Sequence, residues 1–549
     1  MAENGTERAS PACFLSERHL YAASESAMSS PFDLRIAVIG AGNTTRERAP
    51  SLPSWRPPCM GGLGTALALA KKGFKNIDVY ENASNLGFVG AGIQTAPNMA
   101  RILDRLGCWK DVLKGSTQVK GSSIRPIASY VEGSTNEELS RVPMPNIEQL
   151  YGYPHCTGHR SDLAGAMYSA CKRESAIKFH FGTPLIEVTG FSPKPTFRVQ
   201  PRNAEPYTVR VDVLLAADGI KSLTRTAVLA ASGVSGEEAE TEQAAYRIML
   251  QREDMEKDPE LLELIDSDYV IRWIGEKRHI IAYPVADKTI YNLSTTQPDK
   301  NFASAPSATY TTRGDKSVML DVFGDFCPLV QKMLNLVPEG EVCEWRLRMH
   351  KQLPTWTHGS VALLGDACHP TLPHLSQGAA MAIEDGAVLA EVLSLAPDAK
   401  PETVARCLKV FELSRKEWCT SLVELAYFSG RTLHLGEGKA KEERDKQFAQ
   451  AKANGEGAVP DKWASPEVQK MIYSNDCVAN VQRDFDELFA KAAELSNGSC
   501  ENGTNGAPKL EEREGATPVP ENIAATATAD SLKKAKMDSA GQNGTAQTA

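Results

Sequence analysis

Four consecutive apolar residues, Ile36, Ala37, Val38 and Ile39, run into Gly40-Ala41-Gly42. A short apolar run closed by glycines predicts a buried strand and a tight turn. Leu63, Ala66, Leu67 and Ala70 then recur at i, i+3, i+4, i+7, and Gly73 follows as a stop, which predicts a helix. Ile77-Asp78-Val79-Tyr80 predicts a second strand that ends at Glu81, completing a βαβ unit. Around 186–215 and 246–297 the pattern is strand-like, as in His279-Ile280-Ile281-Ala282-Tyr283 and Ile290-Tyr291-Asn292-Leu293. From 376 to 495 it is mainly helical. The chain therefore reads as α/β first, then an antiparallel-rich middle, then helices.

Three segments fall outside this pattern. Residues 1–32 are polar and lack periodicity, and 496–549 contain no aromatic residue, so neither can bury enough surface to order itself. The third, 43–59, reads NTTRERAPSLPSWRPPC, with four prolines and three arginines between two strongly patterned stretches. Over all 549 residues, 42% hydrophobic and 23% charged content excludes a largely disordered chain. A net charge of −9 argues against a nucleic-acid partner. No apolar run is long enough to span a bilayer, and Glu3 and Glu7 stand where a signal peptide needs a basic patch. The twelve cysteines are scattered with no CxxC pair, which predicts reduced thiols in a cytoplasmic protein. The N-x-[ST] triplets at Asn82, Asn292 and Asn497 are chance matches on that reading.

With 43–59 set aside, Gly40, Gly42 and Gly62 form GxGxxG, and Glu81 lies 19 residues after Gly62. This is the arrangement that a dinucleotide needs. Glycines make the turn and admit the pyrophosphate, a helix N-terminus faces the phosphates, and an acid meets the ribose. The segment that interrupts it is either an outward loop or translated non-coding sequence, and we favour the second because its excision restores the motif. Two further strand ends carry polar turns: VLLAADGIKSLTR, with Asp218-Gly219, and SVALLGDACHPTLPHLSQGAAMAIEDG, with Gly365-Asp366 and Gln377-Gly378-Ala379 opening a helix. One glycine fingerprint with two such turns exceeds what NAD requires and fits FAD, which is cradled at both halves. His369 has no second metal ligand at sequence spacing, which predicts a hydrogen-bonding role. Glu384-Asp385 is read as ion pairing, so Asp366→Ala is expected to weaken FAD binding far more than Asp385→Ala. Trp345 is read as a core or interface aromatic.

These motifs, over roughly 34–425, resemble the single-component (group A) FAD-dependent aromatic monooxygenases of the para-hydroxybenzoate hydroxylase fold, most nearly the fungal salicylate hydroxylase-like enzymes. Gly90-Ala91-Gly92-Ile93-Gln94 and His159-Arg160-Ser161-Asp162-Leu163 match that family as well. The resemblance implies an α/β fold: a Rossmann-type FAD-binding domain with an inserted antiparallel-sheet substrate domain and C-terminal helices. The organisation expected is a disordered tail 1–32; FAD-binding segments 33–240, with the anomalous 43–59, and 346–425; a substrate-binding segment 241–345; a helical region 426–495; and a disordered tail 496–549. For FAD it implies Gly40, Gly42, Gly62, Glu81 (ribose), Ala91, Gly92, Arg160, Asp218, Asp366 (ribityl chain), Pro373, Gly378 and Ala379. Arg247 and Tyr283 would face the substrate as catalytic residues. His374 and Leu375 depart from the family pattern.

The activity implied is hydroxylation of a phenolic or aromatic-acid substrate with NAD(P)H as transient cosubstrate and O2, through a C4a-hydroperoxyflavin. The FAD motifs alone leave open a flavin dehydrogenase or epoxidase, and a product made inactive by 43–59. No nucleic acid, membrane span or metal is expected.

Overall fold

The computed structural model describes residues 30–40, 60–84, 91–126, 138–236, 238–239, 241–300, 311–454 and 459–498. Residues 1–29, the 43–59 segment with Gly42, and 499–549 lie outside the described residues.

A six-stranded sheet forms the base of the molecule. Its order is Thr357–His358, Val361–Leu363, Val213–Ala216, Arg35–Ile39, Asn76–Glu81, Ile177–Phe181. All pairs are parallel except the outermost, Thr357–His358 with Val361–Leu363. In register, Ile36 sits between Val213 and Ile77. Near-continuous apolar strands such as VLLA are what a sheet covered on both faces requires. Two helices lie together at this sheet, Met60–Lys72 and Gly378–Ser394, the second buried along almost its whole length. They meet without room for a side chain: a Cβ on Gly386 would lie 2.5 Å from Thr65 Oγ1 and 2.7 Å from Thr65 N.

The second sheet has eight strands, in the order Thr311–Arg313, Cys343–Arg346, Gln243–Gln251, Ile290–Pro298, Arg278–Val285, Tyr269–Gly275, Gly121–Pro126, Ser140–Pro143. It is antiparallel except where Tyr269–Gly275 runs parallel to Gly121–Pro126. The sheet is thus wider in sequence than 241–345, because two strands from the first part of the chain extend its edge. Side chains alternate across each strand. One face, with Tyr246, Ile248, Leu250, Trp273, Ile280 and Leu293, packs in a core of its own against Pro259–Asp266, Lys316–Val322 and Pro328–Asn335. The opposite face carries Arg247, Ser294, Ile281, Tyr283 and Asn292 and looks back toward the first sheet.

The C-terminal part is helical: Pro401–Leu433, Lys439–Asn454, Pro466–Ser474 and Cys477–Gly498. The long Pro401–Leu433 helix buries Val404, Cys407, Leu408, Phe411, Arg415, Cys419, Leu422, Ala426 and Leu433, a stripe at helical spacing. Phe448 of the next helix joins Ile124, Ile274 and Leu433 in a small core at the far edge of the eight-stranded sheet. The nine cysteines among the described residues are free thiols, and Cys343 alone of these is not fully buried.

Candidate active site

The first strand ends at Gly40, whose φ of +92° suits glycine, and a Cβ there would lie 2.5 Å from Ala217 O. Gly40 N donates to Tyr80 O at 2.8 Å, which brings the first turn beside the end of the second strand. There Glu81 is fully buried and its Oε1 accepts from Ala83 N at 2.7 Å. Gly62 is buried in the first turn of the Met60–Lys72 helix. Gly61 beside it lies so close to Leu364 Cδ1 and Ala382 that a Cβ would be at 3.0 and 3.2 Å. The glycines after the first turn therefore bring this helix against the third motif.

Asp218 follows the Val213–Ala216 strand. It accepts from Ser222 Oγ at 2.5 Å and from Thr224 N and Oγ1 at 3.1 and 3.0 Å. Ser222 in turn caps the next helix by accepting from Arg225 N, and Arg225 donates to Ala367 O at 3.1 Å. The second motif is thereby fastened to the third. Within the buried run from Leu364 to Pro370, Asp366 alone is exposed, so its carboxylate stands in a cleft inside the protein. The close walls raise its pKa, while His369, Arg160 and Arg225 act against that rise. Pro373 is exposed, and Gly378 and Ala379 are half-buried in the first turn of their helix, where backbone N–H groups lack intrahelical partners.

Behind this turn lies a buried ionic network. Asp385 accepts from Gly365 N at 2.9 Å, His369 Nε2 at 2.6 Å and Arg415 Nε at 2.9 Å. Arg415 also bonds Glu384 at 2.8 Å, and Glu384 accepts from Asn98 at 2.7 Å. Burial would raise the Asp385 pKa, but the cationic His369 and Arg415 outweigh it and hold the carboxyl at about 2. Asp385 is ion-paired, as the sequence suggests, and it also holds the Gly365 turn directly. This changes the expectation that it matters far less than Asp366. His369 takes the hydrogen-bonding role expected of it, on Asp385, and the fold also brings ligand atoms of Cys368, His369 and Asp385 within 4.8 Å of one another. Asp385 is nevertheless already shared among an amide, an imidazole and a guanidinium.

The other side of the cleft comes from the eight-stranded sheet. Ala91 O accepts from Arg160 N at 3.2 Å, and Gly92 N donates to Asn292 Oδ1 at 2.7 Å. A Cβ on Gly92 would lie 2.7 Å from the Tyr283 ring. Arg247 is pulled down to about 10, first by burial and then by Arg160. Tyr283 is pushed up to about 12 by burial, with Arg247, Arg160 and Gln94 acting against it. Among the described residues Arg247 has no carboxylate partner and its Nε has no hydrogen-bond partner, and its guanidinium lies 5.7 Å from the Trp345 ring. Arg160, Arg247, Tyr283, Ala91 and Gly92 therefore form one cluster, and Gly40, Asp218 and Asp366 form a linked series leading to it. Glu81 lies at the outer end of that series. Gly42 lies outside the described residues.

The sequence assigns no site role to Asn292, reads Trp345 as a core or interface aromatic, and marks Gln94 only as part of the family-matching segment 90–94. Asn292 is legible as a strand position and as a chance glycosylation triplet, while its place opposite Tyr283 follows from pairing Ile290–Pro298 with Arg278–Val285.

The residues present fit FAD. A buried acid ends the second strand beside the glycine turn, a carboxylate opens into an internal cleft, and a helix start is left half-uncovered. A family model described as FAD binding domain matches residues 59–424. The 3-hydroxybenzoate 6-hydroxylase 1 of Aquipseudomonas alcaligenes is 32% identical over 60% of this chain and 77% of its own. The FAD-dependent monooxygenase OpS4 of Beauveria bassiana is 30% identical over 81% of this chain and 96% of its own. The salicylate hydroxylase substrate complex shares the fold with a TM-score of 0.63 at 21% identity, covering 82% of this chain and 98% of that one.

Proposed function

The chain belongs to the FAD-binding-domain family and is an FAD-dependent monooxygenase, and from that premise we propose that it hydroxylates a small phenol or aromatic acid, held as an anion by Arg247 and Tyr283. NAD(P)H is the transient reductant. FAD, when bound, supplies the activation of dioxygen. Gly40, Gly42, Gly62 and Glu81 would hold its adenosine end. Asp218, Arg160, Asp366, Gly378 and Ala379 would hold the ribityl and ring end, beside Ala91, Gly92 and Pro373. Segments 33–240 and 346–425 serve that cofactor, and 241–345 faces the substrate together with the strands Gly121–Pro126 and Ser140–Pro143 that extend its sheet. The free, buried cysteines support a cytoplasmic setting. No helix among the described residues is long and apolar enough to cross a membrane.

The observation that carries this reading is Arg247, a cation on the cleft side of the sheet with no carboxylate to neutralise it among the described residues. An enclosed, unpaired guanidinium is costly, and an anionic ligand removes the cost. An ionised phenol is also more electron-rich, so the same contact favours attack by the ring. Tyr283, kept protonated by burial, donates to the anion. Trp345, Ile281 and Met249, all partly open, offer apolar walls that exclude water.

The test is binding and turnover of 3-hydroxybenzoate, salicylate and 6-hydroxynicotinate against neutral phenol. The acids are expected to bind at least tenfold tighter. Arg247→Ala is expected to keep FAD but to form less product per NAD(P)H oxidised, with Arg247→Lys restoring only part. Equal affinity for acids and phenol, or unchanged coupling in Arg247→Ala, would refute the assignment.

A further inference from the structure

Tyr283 ends a chain of buried polar side chains drawn from four distant parts of the sequence. Tyr473, in the Pro466–Ser474 helix, places its hydroxyl 2.9 Å from His155 Nδ1. His155 Nε2 is 3.2 Å from Gln94 Oε1. An amide oxygen only accepts, so Nε2 carries the ring proton. Burial keeps the ring neutral, its pKa pushed down to about 3. Nδ1 is then a bare acceptor, and Tyr473 donates to it. The Gln94 amide nitrogen has no partner of full hydrogen-bond geometry. It lies beside the Tyr283 hydroxyl and favours the ionised phenol there, as a donor does, through a looser contact. Tyr473, His155, Gln94 and Tyr283 are 2%, 1%, 3% and 6% exposed, so water does not compete along the chain.

The two hydrogen bonds point one way, Tyr473 to His155 and His155 to Gln94, and beyond them the unbonded Gln94 amide nitrogen faces the Tyr283 hydroxyl. With its oxygen approached by Gln94, the Tyr283 proton is directed elsewhere, into the cleft shared with Arg247. We infer that Gln94, His155 and Tyr473 are positioning residues that fix Tyr283 as a hydrogen-bond donor to the substrate anion. The helical region beyond residue 424, outside the part that the family model covers, is thereby part of the active site. The inference rests on the assignment of Tyr283 and Arg247 to the substrate. No proton travels along the chain, since a neutral amide does not release one. Its effect is orientation and mutual polarisation. The far end is anchored: Arg101 donates to Tyr473 O at 2.9 Å and Asn475 O at 3.0 Å, and Trp463 stands edge-on to His155 at 5.3 Å.

The experiment is a double-mutant cycle on the full-length, FAD-loaded enzyme. Its probe is the tightest-binding of 3-hydroxybenzoate, salicylate and 6-hydroxynicotinate, and the readouts are perturbation of the flavin absorbance and product per NAD(P)H. Tyr473→Phe is expected to keep FAD content and melting temperature, to weaken probe binding about three- to tenfold and to lower coupling. Gln94→Glu, which keeps the shape but removes the donor, is expected to do the same. In a Tyr283→Phe background, Tyr473→Phe is expected to add nothing. Wild-type affinity in Tyr473→Phe, or losses that add in the double variant, would overturn the inference. Wild-type affinity in Tyr283→Phe would instead remove Tyr283 from the substrate site, and with it the reading on which the chain depends.

Discussion

At the scale of single residues, Asp385 has the broadest role outside the cleft itself. Its two oxygens join an amide of the Gly365-Asp366 turn, His369 and Arg415. Asp385→Ala would leave the buried His369 cation without its carboxylate and Arg415 with Glu384 alone, and breaking a buried pair costs about 3–5 kcal/mol. Asp385→Asn keeps the amide contact and loses the charge. The expected result is that both variants lose FAD on gel filtration, the alanine variant with a large drop in melting temperature. Retention of FAD by Asp385→Ala at wild-type affinity would show that the turn holds without it. In the sequence, Asp385 was legible as a charge on a helix, but its partner was not, because Arg415 lies a helix and a loop away. Asn292 and Trp345 were illegible for the same reason. A strand residue faces ligand or core according to register, and register comes from partners far along the chain. Motif residues such as Gly40 and Asp366 were legible because each sits at a local signal, a strand end followed by a turn.

At the scale of elements, what periodicity sees is local, and the local predictions correspond to elements of the structure: Arg35–Ile39, Met60–Lys72, Asn76–Glu81, Arg278–Val285 and the C-terminal helices. What it does not see is adjacency. Nothing in Gly121–Pro126 marks it as the parallel neighbour of Tyr269–Gly275. The close approach of Met60–Lys72 to Gly378–Ser394 depends on Gly386. Gly386→Val must push on Thr65 backbone, and overpacking of this kind costs about 1–3 kcal/mol or more. The expected readouts are a lower urea midpoint and weaker FAD binding, since the helix being pushed opens at the glycine turn. The 43–59 segment joins Arg35–Ile39 to that same helix. A chain lacking 43–59 is expected to take up FAD non-covalently, seen as a flavin absorbance after desalting. If it folds and stays colourless, the fingerprint reading is wrong.

At the scale of the whole molecule, four histidines, His155, His279, His374 and His434, are buried and all held below the ordinary imidazole pKa of 6.5, chiefly by burial. His155 and His434 fall to about 3. Below pH 6.5 the unfolded chain binds protons that the native chain refuses. The contribution of these four rings to stability is therefore full above 6.5 and falls as the pH drops, by about 1.4 kcal/mol per pH unit for each group. The melting temperature is expected to fall steeply between pH 6.5 and 4.5, with a shallower slope in His434→Gln. A flat profile would mean that these rings are not buried neutral. Truncation separates the tail from the site. A chain ending after Gly498 is expected to melt with the full-length protein. One ending before Pro466 loses Tyr473, Ile472 and Phe485 from the interior and is expected to melt several degrees lower.

The strand order of the six-stranded sheet has a consequence for how the chain is made. Val213–Ala216 lies between Arg35–Ile39 and Val361–Leu363, so its second neighbour leaves the ribosome roughly 150 residues after it, about 7–30 s at 5–20 residues per second. During that interval it presents an open, wholly apolar edge. The core spanning Tyr246 to Val342 is contiguous in sequence and can close first. The nascent protein should therefore condense from its middle outward. Protease resistance in arrested chains is expected at 246–342 before it reaches 35–216, and the waiting edge is where chaperone binding and aggregation during overexpression should concentrate.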